Sequence, residues 1–434
     1  MARLVATPKP SDDIAGVRVV VDVRPMQEPE RSPLTAEYLG KLLEAFAREP
    51  LDGESFVLIT RALRDDPSDD LAQRGLPIAS TRRIPPTTRV LRNAGLTLDS
   101  FLLRGAEIGT TEAQVFHTAG GAVPVASGLP IVATLLDLAP WELPGIYAAS
   151  AAARFGHRLR RRVLHDAQRV IVCSRAGAEA ARRHLHLPQD RLSVVPLAVD
   201  ESFRAAGRDR DSVEETRARL NLPARYMCFS GRYDARKDMR TLYEALRALR
   251  ERVTGSSSGT SAGNGFSNGH HGQLPTLVIL VSGDEDELEI VTRATERSGV
   301  DEMIRIVSPT DAAERARVMA GAEVFVYPAL SEATALPVLE AVSLGVPVIC
   351  SRAGALPEVV ASAGIVVAPR DASRLAAALE ALWNGGSLAD QLRQQAQRRA
   401  AANDRTWSDV ARETRAVYAA AASEAASGAL RNNS

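Results

Sequence analysis

Short β-branched runs alternate with stretches of helical periodicity along most of this chain. A strand, a helix and a second strand in succession form a parallel sheet, because the helix returns the chain to the edge where the next strand starts. In the first half of the chain, these runs are 17–23, 56–60, 131–135, 169–173 and 192–196. The alternation predicts an α/β fold built on Rossmann-like parallel sheets.

A second series of β-branched runs begins past the middle of the chain. Its members are 226–230, 276–281, 304–307, 324–327, 346–350 and 365–367. At 434 residues the chain also exceeds the size, about 250 to 300 residues, at which one hydrophobic core stops growing. Two Rossmann-like domains are therefore predicted, at 1–204 and 224–404, joined by the charged stretch 205–223 as a linker.

Two segments do not follow this alternation. Residues 254–274 are nearly all Gly, Ser, Asn and His, and they predict a flexible insertion because their apolar area is too small to offset the entropy of ordering. We expect His270 and His271 within it to be solvated rather than to bind a metal. The segment 405–434 carries apolar residues at helical spacing, which predicts an amphipathic C-terminal helix that packs on a domain.

The charge balance and the cysteines exclude several classes of protein. Lys plus Arg number 53, as do Asp plus Glu, so no net charge favours a nucleic-acid partner. Cys173, Cys228 and Cys350 lie in apolar runs without metal-ligand spacing, which indicates buried, reduced thiols. The sequence shows neither a leader pattern nor an uncharged apolar span. We therefore expect a cytoplasmic protein, or one at the inner face of the membrane.

A basic loop separates the strand 226–230 from the next helix. Arg232, Arg236 and Lys237 lie just before that helix begins, where cations are unfavourable unless an anion is bound. A diphosphate would supply this anion, whereas a solvated basic turn balanced by acidic neighbours is the alternative. Since the chain has only three lysines among its 53 basic residues, Lys237 favours the ligand.

Two carboxylates, Glu332 and Glu340, follow the strand 324–327 at a spacing of eight residues. Pro337 suits the first turn of a helix, so Glu332 is expected on a loop and Glu340 about one turn inside the helix. A carboxylate can accept hydrogen bonds from two hydroxyl groups, as in a sugar or a ribose diol. For Glu340, a structural salt bridge to an arginine is the alternative.

Residues 231–242 and 327–359 resemble the two donor-site signatures of retaining glycosyltransferases of family 4, including the E-x7-E motif. The segments 115–118, 129–140, 170–174 and 194–200 resemble the N-terminal domain of the same family in order and spacing. The resemblance covers most of the chain apart from the insertion.

This resemblance implies a GT-B fold, in which two Rossmann-like domains face each other across a cleft. It implies a nucleotide-sugar donor (a UDP-, GDP- or ADP-sugar) on the second domain, a glycan or lipid-linked acceptor, and no metal or cofactor. Arg232 and Lys237 match the diphosphate-binding residues, Glu332 the residue at the donor sugar, and Glu340 the ribose-binding residue.

The main chain around the same motifs would complete the phosphate site. The resemblance places Gly231, Thr334, Ala335 and Leu336 in this role, since their N–H groups lie near helix N-termini. Stabilising the departing nucleoside diphosphate is then the main catalytic task. The predicted catalytic residues are Glu332, Arg232 and Lys237.

The sequence departs from the family pattern at three places. Leu136 precedes Asp137 where the family usually has a histidine beside the reacting sugar. Ala333 and Ala335 replace glycines around the first glutamate, and their methyl groups disfavour a positive φ. The loop 26–34 lacks the glycines usual there. These departures put catalytic competence in question.

Other polar residues in the first half allow two interpretations each. His117 follows a strand, and we interpret it as a hydrogen-bonded core histidine rather than a catalytic group. A cluster of arginines on a predicted helix fits either anionic lipid or a solvated face, and the solvated face is the more common outcome. Its members are Arg158, Arg160, Arg161 and Arg162.

Two functional hypotheses follow from these residues. The first is a retaining, metal-independent glycosyltransferase that moves a hexose, for example mannose, to a glycan or lipid-linked acceptor of the cell envelope. The second is a catalytically degenerate relative that binds a nucleotide-sugar or a protein partner. An epimerase or phosphorylase of the same architecture is disfavoured by the E-x7-E spacing.

Overall fold

The computed structural model describes most of the chain, namely residues 16–62, 64–84, 102–103, 112–119, 123–124, 128–256, 274–281 and 285–432. These residues form two compact units. The first unit contains the chain up to Ala198 and the segment from Thr406 onward, and the second runs from Val199 to Arg405. Residues 257–273, which include His270 and His271, lie outside the described residues, so this part of the predicted insertion stays untested.

The first unit contains a seven-stranded parallel sheet with the order β3-β2-β1-β5-β7-β8-β9. A separate pair, β4 and β6, is also parallel. The strands are β1 (Arg18–Asp22), β2 (Ser55–Arg61), β3 (Ile78–Ile84), β4 (Leu102–Leu103), β5 (Val115–Thr118), β6 (Val123–Pro124), β7 (Ile131–Leu135), β8 (Arg169–Val172) and β9 (Leu192–Val194). The central strands β5 and β7 are buried on both faces, which explains why their sequences are mostly apolar, with His117 as a buried polar exception.

Helices connect these strands and begin at polar caps that the sequence provides. The side chains of Ser150 and Ser174 accept hydrogen bonds from the backbone N–H groups of Ala153 and Gly177. The helices are α1 (Pro33–Arg48), α2 (Ser68–Gln73), α3 (Ala139–Glu142), α4 (Pro144–Tyr147), α5 (Ala151–Asp166) and α6 (Arg175–Ala180), which continues into a π-helical turn.

The second unit contains a six-stranded parallel sheet with the order β12-β11-β10-β13-β14-β15. Its strands are β10 (Met227–Ser230), β11 (Leu277–Leu280), β12 (Ile304–Val307), β13 (Val324–Tyr327), β14 (Val348–Ser351) and β15 (Gly364–Val367). The direction in which strands are added reverses at β10, which lies between β11 and β13. Ligands of open α/β sheets bind at the carboxyl ends of the strands at such a reversal.

The second unit begins earlier in the chain than the sequence predicts, because two helices precede its first strand. The helices of this unit are α7 (Glu201–Arg208), α8 (Arg210–Arg219), α9 (Met239–Ser256), α10 (Glu285–Glu296), α11 (Ala312–Ala320), α12 (Leu336–Ser343), α13 (Leu356–Val360), α14 (Ala372–Trp383) and α15 (Ser387–Ala402). The segment 205–223 is therefore helical and belongs to the second unit instead of forming a linker. Two of its few large apolar residues, Val213 and Leu222, are buried, and the dense charge around them concealed this pattern.

The three cysteines are free and buried, as the sequence predicts. Burial raises the pKa of the Cys350 thiol to about 12 and that of Cys228 further. These thiols therefore stay protonated at neutral pH and behave as small apolar side chains.

The C-terminal helix α16 (Trp407–Asn432) packs on α1 in the first unit. Arg415 on α16 forms a two-bonded ion pair with Glu54, at 2.8 Å from its Nε and 2.7 Å from a terminal nitrogen. Both side chains are almost fully buried, so the pair depends on its hydrogen bonds to offset the loss of hydration.

A hydrogen-bond chain joins α16 to the sheet through His117. The Tyr418 hydroxyl lies 2.8 Å from Nδ1 of His117, and Nε2 of His117 lies 2.9 Å from the hydroxyl of Thr134. Both ring nitrogens are thus occupied, and His117 is fully buried, which confirms the interpretation as a core histidine. Burial lowers the pKa of His117 from 6.5 to about 4, although the charge of Asp22 opposes this shift.

Acidification is expected to destabilise the first unit through His117. Because its pKa is lower in the folded chain, neutral His117 contributes stability that is complete above pH 6.5 and is lost as the pH falls towards 4. The loss approaches roughly 3 kcal/mol at the lower limit. Urea denaturation at pH 7 and pH 5 should show a smaller decrease for His117→Gln than for the wild type. Equal decreases for both would contradict the assignment, and His184→Gln serves as the half-buried control.

Candidate functional site

The candidate site lies at the carboxyl edge of the second sheet, beside the reversal at β10. Strands β10 and β13 are parallel neighbours, with Met227 opposite Val324, so the loops that follow them emerge at the same edge. The first loop, 231–238, contains a 3-10 turn, Ala235–Lys237, before α9. The second loop, 328–335, precedes α12. The N–H of Leu330 donates to the carbonyl of Arg236 at 2.6 Å, which ties the two loops together.

A buried cluster of three polar side chains joins these loops to the end of β13. The ammonium of Lys237 donates to Oε2 of Glu332 at 2.6 Å and to the hydroxyl of Tyr327. The Tyr327 hydroxyl in turn donates to the same Oε2 at 2.9 Å. Each of the three residues is at most 5% exposed. The structure therefore brings together Lys237 and Glu332, which the sequence analysis selected, with a tyrosine that it did not.

The carboxylate of Glu332 accepts two further hydrogen bonds through its other oxygen. The hydroxyl of Thr334 and the backbone N–H of Ala335 each donate to Oε1 at 3.2 Å. Burial by itself would raise the pKa of Glu332, but the charges of Lys237 and Arg236 and the hydrogen bonds from Lys237 and Tyr327 outweigh it and lower the pKa to about 2. Glu332 is thus ionised at neutral pH, and four donors occupy its oxygens. This arrangement leaves it less available to sugar hydroxyls than the sequence analysis assumed.

Lys237 and Tyr327 respond to the same burial. Burial lowers the pKa of Lys237, and the charge of Glu332 opposes this shift. Burial and the nearby carboxylate raise the pKa of Tyr327 well above 10, so its hydroxyl keeps its proton and can donate to Glu332. Tyr327 is also the one polar side chain at the end of an otherwise apolar strand, a signal that the sequence offered.

The other predicted cation, Arg232, has a different environment from Lys237. Its side chain is exposed, whereas Lys237 is buried. Gly231, directly before it, has φ +147°, which only glycine adopts readily, and a Cβ there would lie 3.5 Å from the ring of Tyr327. Glycine at this position thus lets the loop turn close to the Tyr327 ring.

Glu340 is on α12 and forms a salt bridge with Arg315 of α11. The two terminal nitrogens of Arg315 donate to the two carboxylate oxygens at 2.6 Å and 2.8 Å. The guanidinium carbon of Arg315 also lies 5.0 Å from the ring centroid of Phe203. The structure therefore contains the salt bridge that was the alternative for Glu340, and ribose binding there stays a prediction. No sequence signal connected Arg315 to Glu340.

The backbone just before α12 adopts a strained conformation. Ala335 has φ +55° and ψ +29°, the left-handed region that the sequence analysis considered unfavourable for alanine. This conformation directs the Ala335 N–H to Glu332. Of the predicted phosphate-binding positions Thr334, Ala335 and Leu336, the amide of Ala335 is thus already used within the protein, and all three residues are buried.

A third loop, between β14 and α13, approaches Glu332 through Gly354, which the sequence analysis did not select. Gly354 has φ +48°, and a Cβ there would lie 1.9 Å from the carbonyl oxygen of Glu332. The following residue, Ala355, donates its N–H to that carbonyl at 2.8 Å. Any larger residue at 354 would force the loop away from the cluster.

The positions of the first unit that depart from the family pattern contain no imidazole. Leu136 is buried, and the carboxylate of Asp137 accepts the N–H of Ala139 at 3.0 Å at the start of α3. In the loop 26–34, the side chain of Gln27 holds the backbone of Arg61. Within the described ranges, no group of three or more His, Cys, Asp or Glu residues could hold a metal ion.

Two family models match the chain, one for each unit. "Glycosyltransferase Family 4" matches residues 35–203, and "Glycosyl transferases group 1" matches residues 212–399. The matched ranges contain the strands of the two sheets from β2 onward.

The curated relatives are similar over part of their length. An O-antigen chain mannosyltransferase B of Escherichia coli is 25% identical over 246 residues, which are 57% of this chain and 59% of the relative. An MMP alpha-(1->4)-mannosyltransferase of Mycolicibacterium hassiacum is 36% identical over 144 residues, 30% of this chain and 35% of the relative. The chain thus spans less than two thirds of the length of these relatives.

Solved structures match nearly the whole chain. Sucrose-phosphate synthase from Thermosynechococcus elongatus has a TM-score of 0.64 at 19% identity, covering 93% of this chain and 98% of the other. HepE from Anabaena, solved with UDP-glucose, has a TM-score of 0.61 at 13% identity, covering 92% and 98%. The predicted fold class, two Rossmann-like α/β units of the GT-B type, is confirmed. No helix among the described residues has the length and apolar character of a membrane span.

Replacing Ala335 with glycine is expected to cost little stability. Relief of left-handed strain, about 1 to 2 kcal/mol, offsets the lost methyl burial of about 0.8 kcal/mol and the greater freedom of glycine in the unfolded chain. Ala341→Gly is the matched control, because Ala341 is equally buried but lies within α12. It should lower the free energy of unfolding by about 2 kcal/mol. Equal losses in urea denaturation of both variants would argue against strain at 335.

Proposed function

We propose that this chain, which belongs to the GT-B glycosyltransferases of the family 4 type, transfers a hexose from a nucleoside-diphosphate sugar to a glycan or lipid-linked acceptor. The observation that carries the proposal is the buried Lys237–Tyr327–Glu332 cluster at the sheet edge beside the β10 reversal. Burying charged groups costs hydration free energy, and binding of a diphosphate at this edge of the sheet would explain why this chain has them there.

The relatives support the donor class and suggest the sugar. HepE was solved with UDP-glucose, and both curated relatives are named as mannosyltransferases. We propose a UDP-, GDP- or ADP-sugar as donor, with mannose as the first hexose to test. The proposed acceptor is a glycan or lipid-linked group of the cell envelope.

The proposed chemistry needs positive charge where the nucleoside diphosphate departs. The bond between the anomeric carbon and the diphosphate breaks, the acceptor oxygen bonds to the same face of the sugar, and the acceptor proton passes to the departing phosphate. Arg232 and Lys237 stabilise the charge that develops on the diphosphate, without a metal ion. Glu332 orients Lys237 through their hydrogen bond. The ribose hydroxyls donate hydrogen bonds to Glu340, either in addition to those from Arg315 or in their place.

A second candidate function is favoured by the first unit. Leu136 is a buried leucine where the family resemblance implies a histidine beside the reacting sugar. A chain that retains the donor cluster but lacks this imidazole could bind a nucleotide-sugar or a protein partner without transferring the sugar. Hydrolysis or transfer of a bound donor separates the two functions.

We also propose that helix α5 contacts anionic lipid. Phe155 on α5 and Ile146 on α4 are exposed large apolar side chains, at 47% and 39%, and Arg158 and Arg162 on α5 are also exposed. Arg160 has a different role, because its guanidinium lies over the ring of Trp141 at 5.2 Å. A helix with an exposed aromatic side chain and exposed basic side chains is suited to bind the surface of a negatively charged bilayer.

The donor proposal predicts a specific gain in thermal stability with one of UDP, GDP or ADP. In the wild type, a ligand at 100 times its dissociation constant should add about 2.7 kcal/mol of stability. Arg232→Ala should weaken binding about tenfold through loss of a charged hydrogen bond, with little effect on the unliganded Tm because Arg232 is exposed. Arg252→Ala, an exposed arginine near the other end of α9, is the control and should bind normally. A wild type that responds to none of the three nucleotides would refute the proposal.

The lipid proposal predicts co-sedimentation with phosphatidylglycerol vesicles but not with phosphatidylcholine vesicles. Phe155→Ser and the double variant Arg158→Glu, Arg162→Glu should each reduce the bound fraction at least about threefold, because about 1 kcal/mol is contributed by each basic residue near the surface. Arg293→Glu, on an exposed face of α10, should bind like the wild type. Absence of wild-type binding to either vesicle would exclude the lipid contact.

A further inference from the structure

We propose that Tyr327 is a positioning residue whose hydroxyl fixes the direction of the Lys237 ammonium, so that one N–H is presented to an oxygen of the donor diphosphate. This inference rests on the proposed function. It concerns a residue that the sequence comparison with the family did not select, and it assigns the tyrosine a role through Lys237 rather than a contact with the donor.

The first support is the number of interactions that hold the ammonium. Nζ of Lys237 donates to the Tyr327 hydroxyl and to Glu332, and it lies 4.4 Å from the centroid of the Tyr327 ring. The hydroxyl and the carboxylate are themselves hydrogen-bonded at 2.9 Å. The three polar groups thus form a closed triangle, in which the direction of the two N–H bonds is fixed.

The second support is the count of donors. A lysine ammonium has three N–H donors, and two of them are used by Tyr327 and Glu332. Across the part of the chain that the structure covers, no residue accepts the third. An almost buried N–H without an acceptor is costly, so a phosphate oxygen at this point would satisfy it.

The third support is the rigidity of the tyrosine. Its ring stacks on Phe229 and on Phe325, with centroid distances of 5.7 Å and 6.0 Å, and Tyr327 itself is on the fully buried strand β13. Lysine has a flexible four-carbon side chain, and fixing it is entropically costly unless a rigid neighbour does so. A phenylalanine would keep the ring contacts but would lose the hydrogen bonds. The hydroxyl is therefore the part of Tyr327 that serves Lys237.

The test uses Tyr327→Phe with Tyr226→Phe as a matched control. Tyr226 is equally buried in the same unit, and its hydroxyl donates one hydrogen bond, to the carbonyl of Val318 at 2.7 Å, but it lies outside the cluster. With the donor found by nucleotide stabilisation, Tyr327→Phe should lower kcat for donor hydrolysis or transfer about tenfold, with KM changed less than about threefold. Tyr226→Phe should keep both constants, although it too loses a buried hydrogen bond.

A second readout does not depend on activity. The chain contains only three lysines, Lys9, Lys41 and Lys237, so the NMR signals of ¹³C-labelled lysine can be assigned by single substitutions. Tyr327→Phe removes a hydrogen bond to the charged ammonium and should lower the pKa of Lys237, while Tyr226→Phe should not. The other charged groups around Lys237, which are Glu332, Arg236 and Asp234, stay the same in both variants.

The outcomes separate this inference from the proposed function. A Lys237 titration unchanged in Tyr327→Phe overturns the positioning role, whether or not the wild type binds nucleotides. A changed titration with unchanged kcat also overturns it, because the hydroxyl would then serve stability alone. A wild type that neither binds nor turns over any nucleotide-sugar refutes the proposed function, and with it the role of Tyr327 at a diphosphate, even if the titration moves.

Discussion

An ammonium and a carboxylate that are both almost removed from water persist only if hydrogen bonds replace their hydration, and the pair Lys237–Glu332 imposes this condition on the second unit. Several features of the carboxyl edge meet it together. Tyr327 bridges the two charges, and Ala335 has a left-handed backbone conformation that directs its N–H to Glu332. Gly354 lets a neighbouring loop approach closely enough to hydrogen-bond the carbonyl of Glu332. The backbone of this edge is thus shaped around one ion pair.

Much of the fold could be predicted because the spacing of apolar residues, which identifies helices, strands and their buried faces, is a local property of the sequence. The β-branched runs identified five of the seven strands of the first sheet and all six strands of the second, with small shifts at their ends, but they did not include β3 or β5. The spacing between Glu332 and Glu340 indicated a loop followed by a helix. The boundary of the second unit could not be placed, since α8 has few apolar residues among many charges. The partners of the two glutamates were also hidden, because Arg315 is 25 residues from Glu340 and nothing in the sequence pairs them.

Protein partners satisfy some buried polar groups of the two units more completely than others. In the first unit, His117 has hydrogen bonds at both ring nitrogens, and Arg415 is paired with Glu54, so these groups hold the C-terminal helix to the sheet. In the second unit, Lys237 keeps one donor without an acceptor among the residues that the structure covers. His117 and Arg415 are thus satisfied by protein partners, whereas Lys237 is incompletely satisfied where we propose that a ligand binds.

The C-terminal helix also determines when the first unit can be completed during synthesis. Tyr418 follows its partner His117 by 301 residues, and the whole second unit is translated between them. At roughly 5 to 20 residues per second, this interval lasts about 15 to 60 s, and the second unit can fold within it. The first sheet must therefore wait with an uncovered apolar surface where α16 will pack. For this chain, the unit that is translated first is the last to be closed.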